Sequence, residues 1–248
     1  MLLGALVAAA AAPAGMIVPE PADAVQPRWL VDGRHVAMSY AQAANGLVTA
    51  HQPYVAADDG GGFRPPNSGD IVAHPDLAVS PDGAHRAWFG SDANLYLDGR
   101  ALTTGRDGYV EGWQPIAWSP DGKWIAFTWG ARRGSATSAE VDVIPAAGGA
   151  RRRISTGTSV SWINARTLAV GLEGYATDIL RVDVATRRVR RLVSGYYSPG
   201  GFDISPDGSQ IAFTSYVGAA YDRGAVTYAA KTTGADADVR RLSPDTCT

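Results

Sequence analysis

Two aspartates lie in segments that are otherwise apolar or built of small residues. Asp76 interrupts the segment Pro75–Val79, and Asp203 interrupts Phe202–Ile204. Hydrolysis of a glycosidic bond requires a pair of carboxylates, since one protonates the leaving oxygen and the other attacks or activates water. The two residues fall at non-equivalent places in the sequence repeat that contains them. The simpler interpretation is therefore that they cap strands or face a solvated channel.

Tryptophans are concentrated between residues 113 and 129, and Trp124 is the one that suggests binding. It follows a predicted turn, and its side chain lies on the opposite face of the strand from that of Ile125. This position predicts an indole that could face solvent. An exposed tryptophan is a suitable contact for a protein or a sugar. Packing within the fold is the ordinary alternative. Trp124, Asp76 and Asp203 are therefore the candidate binding residues.

Sequence signals for catalysis, metal binding or cofactor binding are scarce. The histidines His35, His51, His74 and His85 form no pair with the spacing of metal ligands. The Gly-x-Ser-x-Gly motif of serine hydrolases and glycine-rich phosphate loops are missing. The single cysteine, Cys247, excludes an intrachain disulfide. We therefore expect no catalytic residue, no cofactor and no metal site.

A short motif recurs through the chain and sets the spacing of its elements. Its clearest copy is Trp118–Phe127, Trp-Ser-Pro-Asp-Gly-Lys-Trp-Ile-Ala-Phe, and similar copies begin at Val79 and Ile204. Weaker copies begin at Trp29 and Trp162. Proline fixes φ for a turn, aspartate bonds to its own backbone, and glycine supplies the left-handed conformation that closes a β-hairpin. Each copy therefore predicts a strand, a tight turn and a second strand.

The motif recurs about every 40 to 50 residues, which is the period of a β-propeller blade. Two further apolar segments follow in each period and predict the third and fourth strands. The predicted fold is an all-β propeller, preferably with five four-stranded blades between about Arg28 and Leu242. Six blades, one of them irregular or missing, are the alternative. In the second strand Ala126 faces away from Ile125 and Phe127, and a small residue there predicts a close approach of neighbouring sheets.

Arginine pairs recur where the fourth, outermost strands are predicted. They are Arg152-Arg153, Arg187-Arg188, Arg190-Arg191 and Arg240-Arg241. Charges on outermost strands deter edge-to-edge association of sheets. The alternative interpretation is an anionic partner that docks along the outer rim.

Residues 1–27 are set apart from the predicted propeller domain, residues 28–248. The segment from Met1 to Ala14 resembles the apolar core of a secretory signal peptide, with Ala12-Pro13-Ala14 or Ala22-Asp23-Ala24 as candidate cleavage sites. No Lys or Arg precedes it, so an apolar tail that packs on the propeller is the alternative. The segment is too short to span a bilayer. We expect an exported protein (periplasmic, cell-envelope or secreted) without a membrane span in the mature chain.

The composition fits one β domain and argues against nucleic-acid binding. Apolar residues make up 46% of the 248 residues and charged residues 19%, and the formal net charge is −2. A nearly neutral surface does not attract nucleic acid or an anionic membrane.

The Ser-Pro-Asp-Gly…Ile-Ala-Phe repeats resemble those of the TolB-like propeller family, named after the periplasmic component of the Tol-Pal envelope system. The resemblance covers roughly residues 28 to 242. TolB itself has six blades and an N-terminal α/β domain, and neither is evident in this sequence. The resemblance implies protein binding through the segments that connect the strands, without catalysis. Since related repeats also occur in peptidases and sugar-active proteins, a glycan-binding or glycoside-hydrolysing propeller is the alternative to a non-enzymatic protein-binding scaffold.

Overall fold

The computed structural model describes residues 27–44, 47–67, 69–70, 78–104, 108–109, 116–133, 136–172, 177–196, 201–216, 225–233 and 238–243. Regular structure in these residues consists of β-strands, and neighbouring strands pair antiparallel. Within these ranges, no helix has the length and apolarity needed to cross a membrane.

The strands form five sheets, numbered in chain order. Sheet 1 contains β1 (Arg28–Trp29), β2 (His35–Ala44) and β3 (Leu47–Ala57). Sheet 2 contains β4 (Ala87–Phe89), β5 (Leu95–Leu97) and β6 (Arg100–Ala101). Sheet 3 contains β7 (Gly108–Tyr109), β8 (Ile116–Trp118), β9 (Trp124–Arg133), β10 (Ala136–Pro145) and β11 (Arg152–Thr156). Sheet 4 contains β12 (Ser159–Asn164), β13 (Thr167–Gly171), β14 (Thr177–Asp183) and β15 (Val189–Tyr196), and sheet 5 contains β16 (Phe202–Ile204), β17 (Gln210–Tyr216), β18 (Ala225–Lys231) and β19 (Arg240–Arg241).

The all-β propeller predicted from the repeat is confirmed, including the order of strands within a sheet. Sheets 4 and 5 each pair four strands in chain order. Sheet 3 has an additional strand, β7, which pairs with β9 as β8 does. Isolated bridges extend sheet 1, through Val55 and Arg64, and sheet 2, through Val79 and Arg86. The choice between five and six blades stays a prediction.

The hydrophobic core lies between consecutive sheets. One cluster joins sheets 2 and 3, another joins sheets 3 and 4, and a third joins sheets 4 and 5. A fourth cluster joins sheet 5 to sheet 1, with Trp29 and Met38 packed against Ala212 and Leu242. The first sheet is therefore in contact with the last.

Alternation along the second strand of a sheet decides which neighbour each residue contacts. In β9, Ile125 and Phe127 pack against sheet 2, whereas Ala126 packs against sheet 4. Likewise Ala169 contacts sheet 5 and Ala212 contacts sheet 1. All of these residues are fully buried. The predicted opposite orientation of Ala126 is therefore confirmed, whereas a closer approach of the sheets at this small residue stays a prediction.

Tryptophans of the first strands link neighbouring sheets by hydrogen bonds. Trp118 donates its Nε1–H to the carbonyl oxygen of Ala78, at the edge of sheet 2, at 2.9 Å. Trp162 donates to the carbonyl oxygen of Ala117 in sheet 3 at 3.0 Å. A buried indole needs an acceptor for its N–H group. In both junctions the backbone of the preceding sheet supplies that acceptor.

The turn between the first and second strands is hydrogen-bonded in the same way in sheets 2, 3 and 5. In sheet 3 the Ser119 hydroxyl donates to Asp121 at 2.7 Å and accepts from the Trp124 N–H at 2.9 Å. Asp121 also accepts from the Lys123 N–H at 3.2 Å. The other two Ser-Pro-Asp-Gly turns repeat these three bonds. Side chain and backbone thus hold each turn in one conformation.

We expect Gly208→Ala to destabilise the protein more than Gly83→Ala. Both glycines have a φ of +73°, so either alanine carries backbone strain of about 1 kcal/mol. A Cβ at Gly83 meets nothing within 4 Å, whereas a Cβ at Gly208 would collide with the carbonyl oxygen of Ile163 in sheet 4. Urea unfolding should show losses of about 1 kcal/mol for Gly83→Ala and about 3 kcal/mol for Gly208→Ala. Equal losses would contradict this contact between sheets 4 and 5.

Candidate interaction surface

The turns between first and second strands lie side by side and form one face of the propeller, called the turn face. Its turns are Leu30–Gly33, Ser80–Gly83, Ser119–Gly122, Asn164–Arg166 and Ser205–Gly208. Neighbouring turns nearly touch. A Cβ built on Gly33 would lie 3.9 Å from Cδ of Pro206, and one built on Gly122 would lie 4.0 Å from Cδ of Pro81. Successive sheets therefore build a continuous surface.

The tips of these turns present apolar residues to solvent. Pro81, Pro120 and Pro206 are exposed at the second position of their turns. Val31 occupies this position in sheet 1, and 56% of it is exposed. Because hydrogen bonds fix the turns, the apolar groups are held in place before any partner arrives, which lowers the entropy lost on binding.

Each Ser-Pro-Asp-Gly turn also carries an ionised carboxylate. The hydrogen bond from the Ser119 hydroxyl is the main cause that lowers the pKa of Asp121, opposed by burial and supported by the Lys123 N–H. The pKa values of Asp82 and Asp207 are lowered chiefly by the serine of the same turn. The turn face therefore combines apolar tips with negative charges beside them.

Trp124 lies at the edge of the turn face and is half-buried. Its side chain packs against the cluster between sheets 3 and 4. The guanidinium carbon of Arg152 lies 5.2 Å from the ring centroid, a cation–π contact that covers one side of the indole. Of the two interpretations of Trp124, the structure shows packing between sheets. A role in binding stays a prediction.

His35 and His85 follow turns of the same face and are paired with carboxylates. Nδ1 of His35 lies 2.6 Å from Oδ2 of Asp32, and Nδ1 of His85 lies 2.6 Å from Oδ2 of Asp98. The side chain of His85 is 52% exposed, as its place beside a turn suggests. In the part of the chain that the structure describes, no group of three or more His, Cys, Asp or Glu residues could hold a metal ion.

Asp203 is fully buried at the junction of sheets 5 and 1. Its Oδ2 accepts a hydrogen bond from the Trp29 N–H at 2.9 Å, and its Oδ1 accepts from the Ile204 N–H at 3.0 Å. The Trp29 indole donates in turn to the Asp203 carbonyl oxygen at 3.2 Å. This is the bond that Trp118 and Trp162 make at other junctions. Asp203 therefore links the first strand of the chain to the last sheet.

The other predicted carboxylate, Asp76, lies outside the described residues. The pairing of Asp76 with Asp203 consequently stays a prediction. The burial of Asp203 differs from what a glycosidase requires, because a catalytic carboxylate must reach the substrate.

Sequence reasoning missed a polar cluster at the junction of sheets 2 and 3, formed by Trp129, Asp142 and Arg151. Only 1% of the Asp142 side chain is exposed, and it lies 2.7 Å from Nη1 of Arg151. It also accepts the Trp129 indole N–H at 2.6 Å. The Arg151 guanidinium carbon lies 4.7 Å from the Trp129 ring centroid. The available signal was an aspartate between the apolar Val141 and Val143 of a predicted strand.

Comparison with known proteins shows similarity in structure. No family model matches the chain, and no curated protein matches it. TolB from Agrobacterium tumefaciens aligns with a TM-score of 0.51 and 20% identity over 88% of this chain and 80% of that chain. Dipeptidyl peptidase 4 from Porphyromonas gingivalis aligns with a TM-score of 0.51 and 14% identity over 89% of this chain and 40% of that chain.

An oligogalacturonate lyase in complex with manganese aligns with a TM-score of 0.50 and 12% identity over 88% of this chain and 64% of that chain. This chain thus spans less than two thirds of either enzyme. The similarities confirm the TolB-like propeller fold. At these identities they show the fold alone, and the fold is shared by TolB and by enzymes of two reaction types.

We expect Asp203→Ala to destabilise the protein by about 1–3 kcal/mol, because the buried Trp29 N–H loses its acceptor. Ser161→Ala is the matched control, since Ser161 is buried at the same place in sheet 4. It should cost less than about 1 kcal/mol in urea unfolding. If both variants lose the same stability, Asp203 is not a special link between sheets 5 and 1.

The turn aspartates should make the protein less stable in acid. Because the pKa of Asp207 is lowered in the folded protein, the unfolded protein takes up a proton first as the pH falls. The stability from this carboxylate is present above its ordinary pKa and disappears as the pH falls through the folded-state value. Asp207→Asn should therefore flatten the dependence of the unfolding free energy on pH between about 3 and 5.

Urea unfolding at a series of pH values measures this dependence. Asp59→Asn, which removes one negative charge outside the Ser-Pro-Asp-Gly turns, is the control. An Asp207→Asn variant with the wild-type slope would show that the turn hydrogen bonds do not favour the ionised carboxylate.

Proposed function

We propose that the protein is a non-enzymatic, TolB-like propeller that acts as a protein-binding scaffold through its turn face. The observation that carries this proposal is the row of exposed apolar residues, Val31, Pro81, Pro120 and Pro206, on internally hydrogen-bonded turns. Apolar groups at the centre of a surface with polar groups around them are typical of protein interfaces.

The charges around the apolar tips support a specific partner. Asp82 and Asp121 follow exposed prolines, and the exposed Lys123 and Arg34 follow the turns that carry Pro120 and Val31. Charges of both signs at the rim of an interface select a complementary partner and reject others. Trp124 is a proposed contact at the edge of this surface, because an aromatic side chain adds contact area at little entropic cost.

The glycan-directed alternative relies on Asp76 and Asp203 as channel carboxylates. The buried hydrogen bonds of Asp203 to Trp29 and Ile204 support the scaffold over this alternative. A carboxylate whose two oxygens already accept bonds within the fold is poorly placed to bind a sugar. Its removal would also affect the link between sheets 5 and 1.

We also propose that the protein functions outside the cytoplasmic membrane. The apolar segment from Met1 to Ala14 and the alanine-rich sequences after it support export. The resemblance of the repeats to those of TolB, a periplasmic protein, agrees with this location.

Site-specific photo-crosslinking in a cell-envelope extract of the source organism tests the scaffold proposal. The crosslinker is introduced as Pro120→benzoylphenylalanine on the turn face. The control is Thr156→benzoylphenylalanine, at the exposed far end of β11. We expect a discrete protein to be crosslinked from position 120 and not from position 156.

A second variant, Val31→Glu, should weaken capture of the same protein about tenfold or more, because it places a charge among the apolar tips. Circular dichroism confirms that this exposed substitution leaves the fold intact. Equal crosslinking from both positions would contradict the turn face as the binding surface. Release of sugars from an envelope polysaccharide without any protein crosslink would favour the glycan-directed alternative.

A further inference from the structure

Arg181 breaks a pattern that the other four sheets keep. In each sheet the alanine of the repeat in the second strand is paired with a residue of the third strand, and paired side chains point to the same side of the sheet. In sheets 1, 2, 3 and 5 that residue is apolar and buried: Val55, Leu97, Val143 and Ala229. In sheet 4 the partner of Ala169 is Arg181. An arginine thus occupies a core position of the repeat.

A cavity of ≈ 310 Å³ lies beside this arginine. It is lined by Thr167, Arg181, Asp183, Thr186, Arg188 and Arg190. Nη1 of Arg181 donates to the carbonyl oxygen of Thr232 in sheet 5 at 3.3 Å. The lining residues belong to β13, β14, β15 and the turn before β15, and Arg181 lies on the side of sheet 4 that faces sheet 5. The cavity lining offers three guanidinium groups and two hydroxyl groups.

Two of the three arginines stand directly opposite each other. Arg181 of β14 is paired with Arg190 of β15. Like charges that face each other across an antiparallel pair repel, and Arg188 adds a third positive charge nearby. An anion between these groups would turn the repulsion into attraction.

The carboxylate in the lining does not neutralise these arginines. Oδ1 of Asp183 accepts the N–H and the hydroxyl of Thr186, each at 2.7 Å. These bonds hold Oδ1 within its own turn, and among the described residues Asp183 forms no ion pair with the three arginines. Three positive charges and one negative charge leave an excess of two, which matches a divalent anion.

Other arginines of the outer strands behave differently. Arg151 is paired with Asp142, Arg153 with Glu140 and Arg191 with Asp178. Among the residues that the structure describes, neither Arg181 nor Arg188 nor Arg190 forms an ion pair. Three arginines without an ion pair in the described residues thus line one cavity.

We propose that this cavity of sheet 4 is an oxyanion site, in which Arg181, Arg188 and Arg190 bind a phosphate or sulfate group. Guanidinium groups bind such anions through paired N–H···O bonds. The hydroxyl group of Thr167 is a further donor in the lining, whereas that of Thr186 already donates to Asp183. The lining does not include the exposed tips of the turn face, so the site stands whether or not the turn face binds a protein.

Isothermal titration calorimetry of the full chain tests this proposal. Sodium phosphate, sodium sulfate and glucose 6-phosphate are titrated at constant ionic strength, with glucose as the uncharged control. We expect saturable binding of the anions with a stoichiometry of one. Arg181→Leu, which restores the apolar pattern, and Arg190→Gln should each lower the affinity about tenfold or more.

Arg100→Leu is the matched control. Arg100 also donates to carbonyl oxygens of the next sheet, those of Ala146 at 3.2 Å and Ala147 at 3.4 Å, but it lies outside the cavity. We expect this variant to bind the anions as the wild type does. If Arg181→Leu fails to fold, Arg188→Gln provides the same test on an exposed residue.

The results separate the sources of the anion. Tighter binding of glucose 6-phosphate than of phosphate supports the site and assigns it to a phosphate group on a larger ligand. Equal affinities support it and assign it to the free ion. Lack of saturable binding of every anion, or equal weakening by Arg100→Leu and Arg181→Leu, would overturn the proposal.

Discussion

The structure depends on the burial of both faces of each sheet. A sheet between two neighbours covers its apolar residues on both sides, but the first and last sheets keep one bare face each unless they meet. They do meet: Trp29 and Met38 pack against Ala212 and Leu242. Apolar packing alone does not fix how the first sheet is aligned with the last sheet, because it has no preferred direction. Hydrogen bonds are directional and can fix this alignment. The bonds between Trp29 and Asp203 therefore set how the first strand sits on the last sheet.

The turn face is a consequence of the same constraint. Residues such as Ala126 and Ala169 pack against the next sheet, and turns of neighbouring sheets lie close together at one end of the molecule. The turns then have little room to move, because each is bonded internally and lies against its neighbour. The packing of the sheets therefore gives the turn face a fixed conformation and a partly apolar surface.

The sequence predicts the parts of this structure that depend on local patterns. The Ser-Pro-Asp-Gly turns, the faces of Ile125 and Ala126 and the burial of Trp118 follow from turn chemistry and from alternation along a strand. The role of Asp203 does not follow, because its partner Trp29 is 174 residues away and the two meet only when the first sheet packs on the last. The sequence left open whether Trp124 faces solvent or packs within the fold. The reason is that Arg152, which covers its ring, belongs to a strand that lies further along the chain.

Arginine at a sheet junction can have two opposite meanings, and only the structure tells them apart. Arg151 lies against a buried carboxylate and an indole, so its charge is neutralised where it stands. Arg181 replaces an apolar residue, faces Arg190 and makes a long bond to a carbonyl oxygen. Arg181 is half-buried, and residues that break the local rule of a repeat are expected at functional or strained sites. The proposed anion would supply the negative charge that the described residues around Arg181 and Arg190 do not provide.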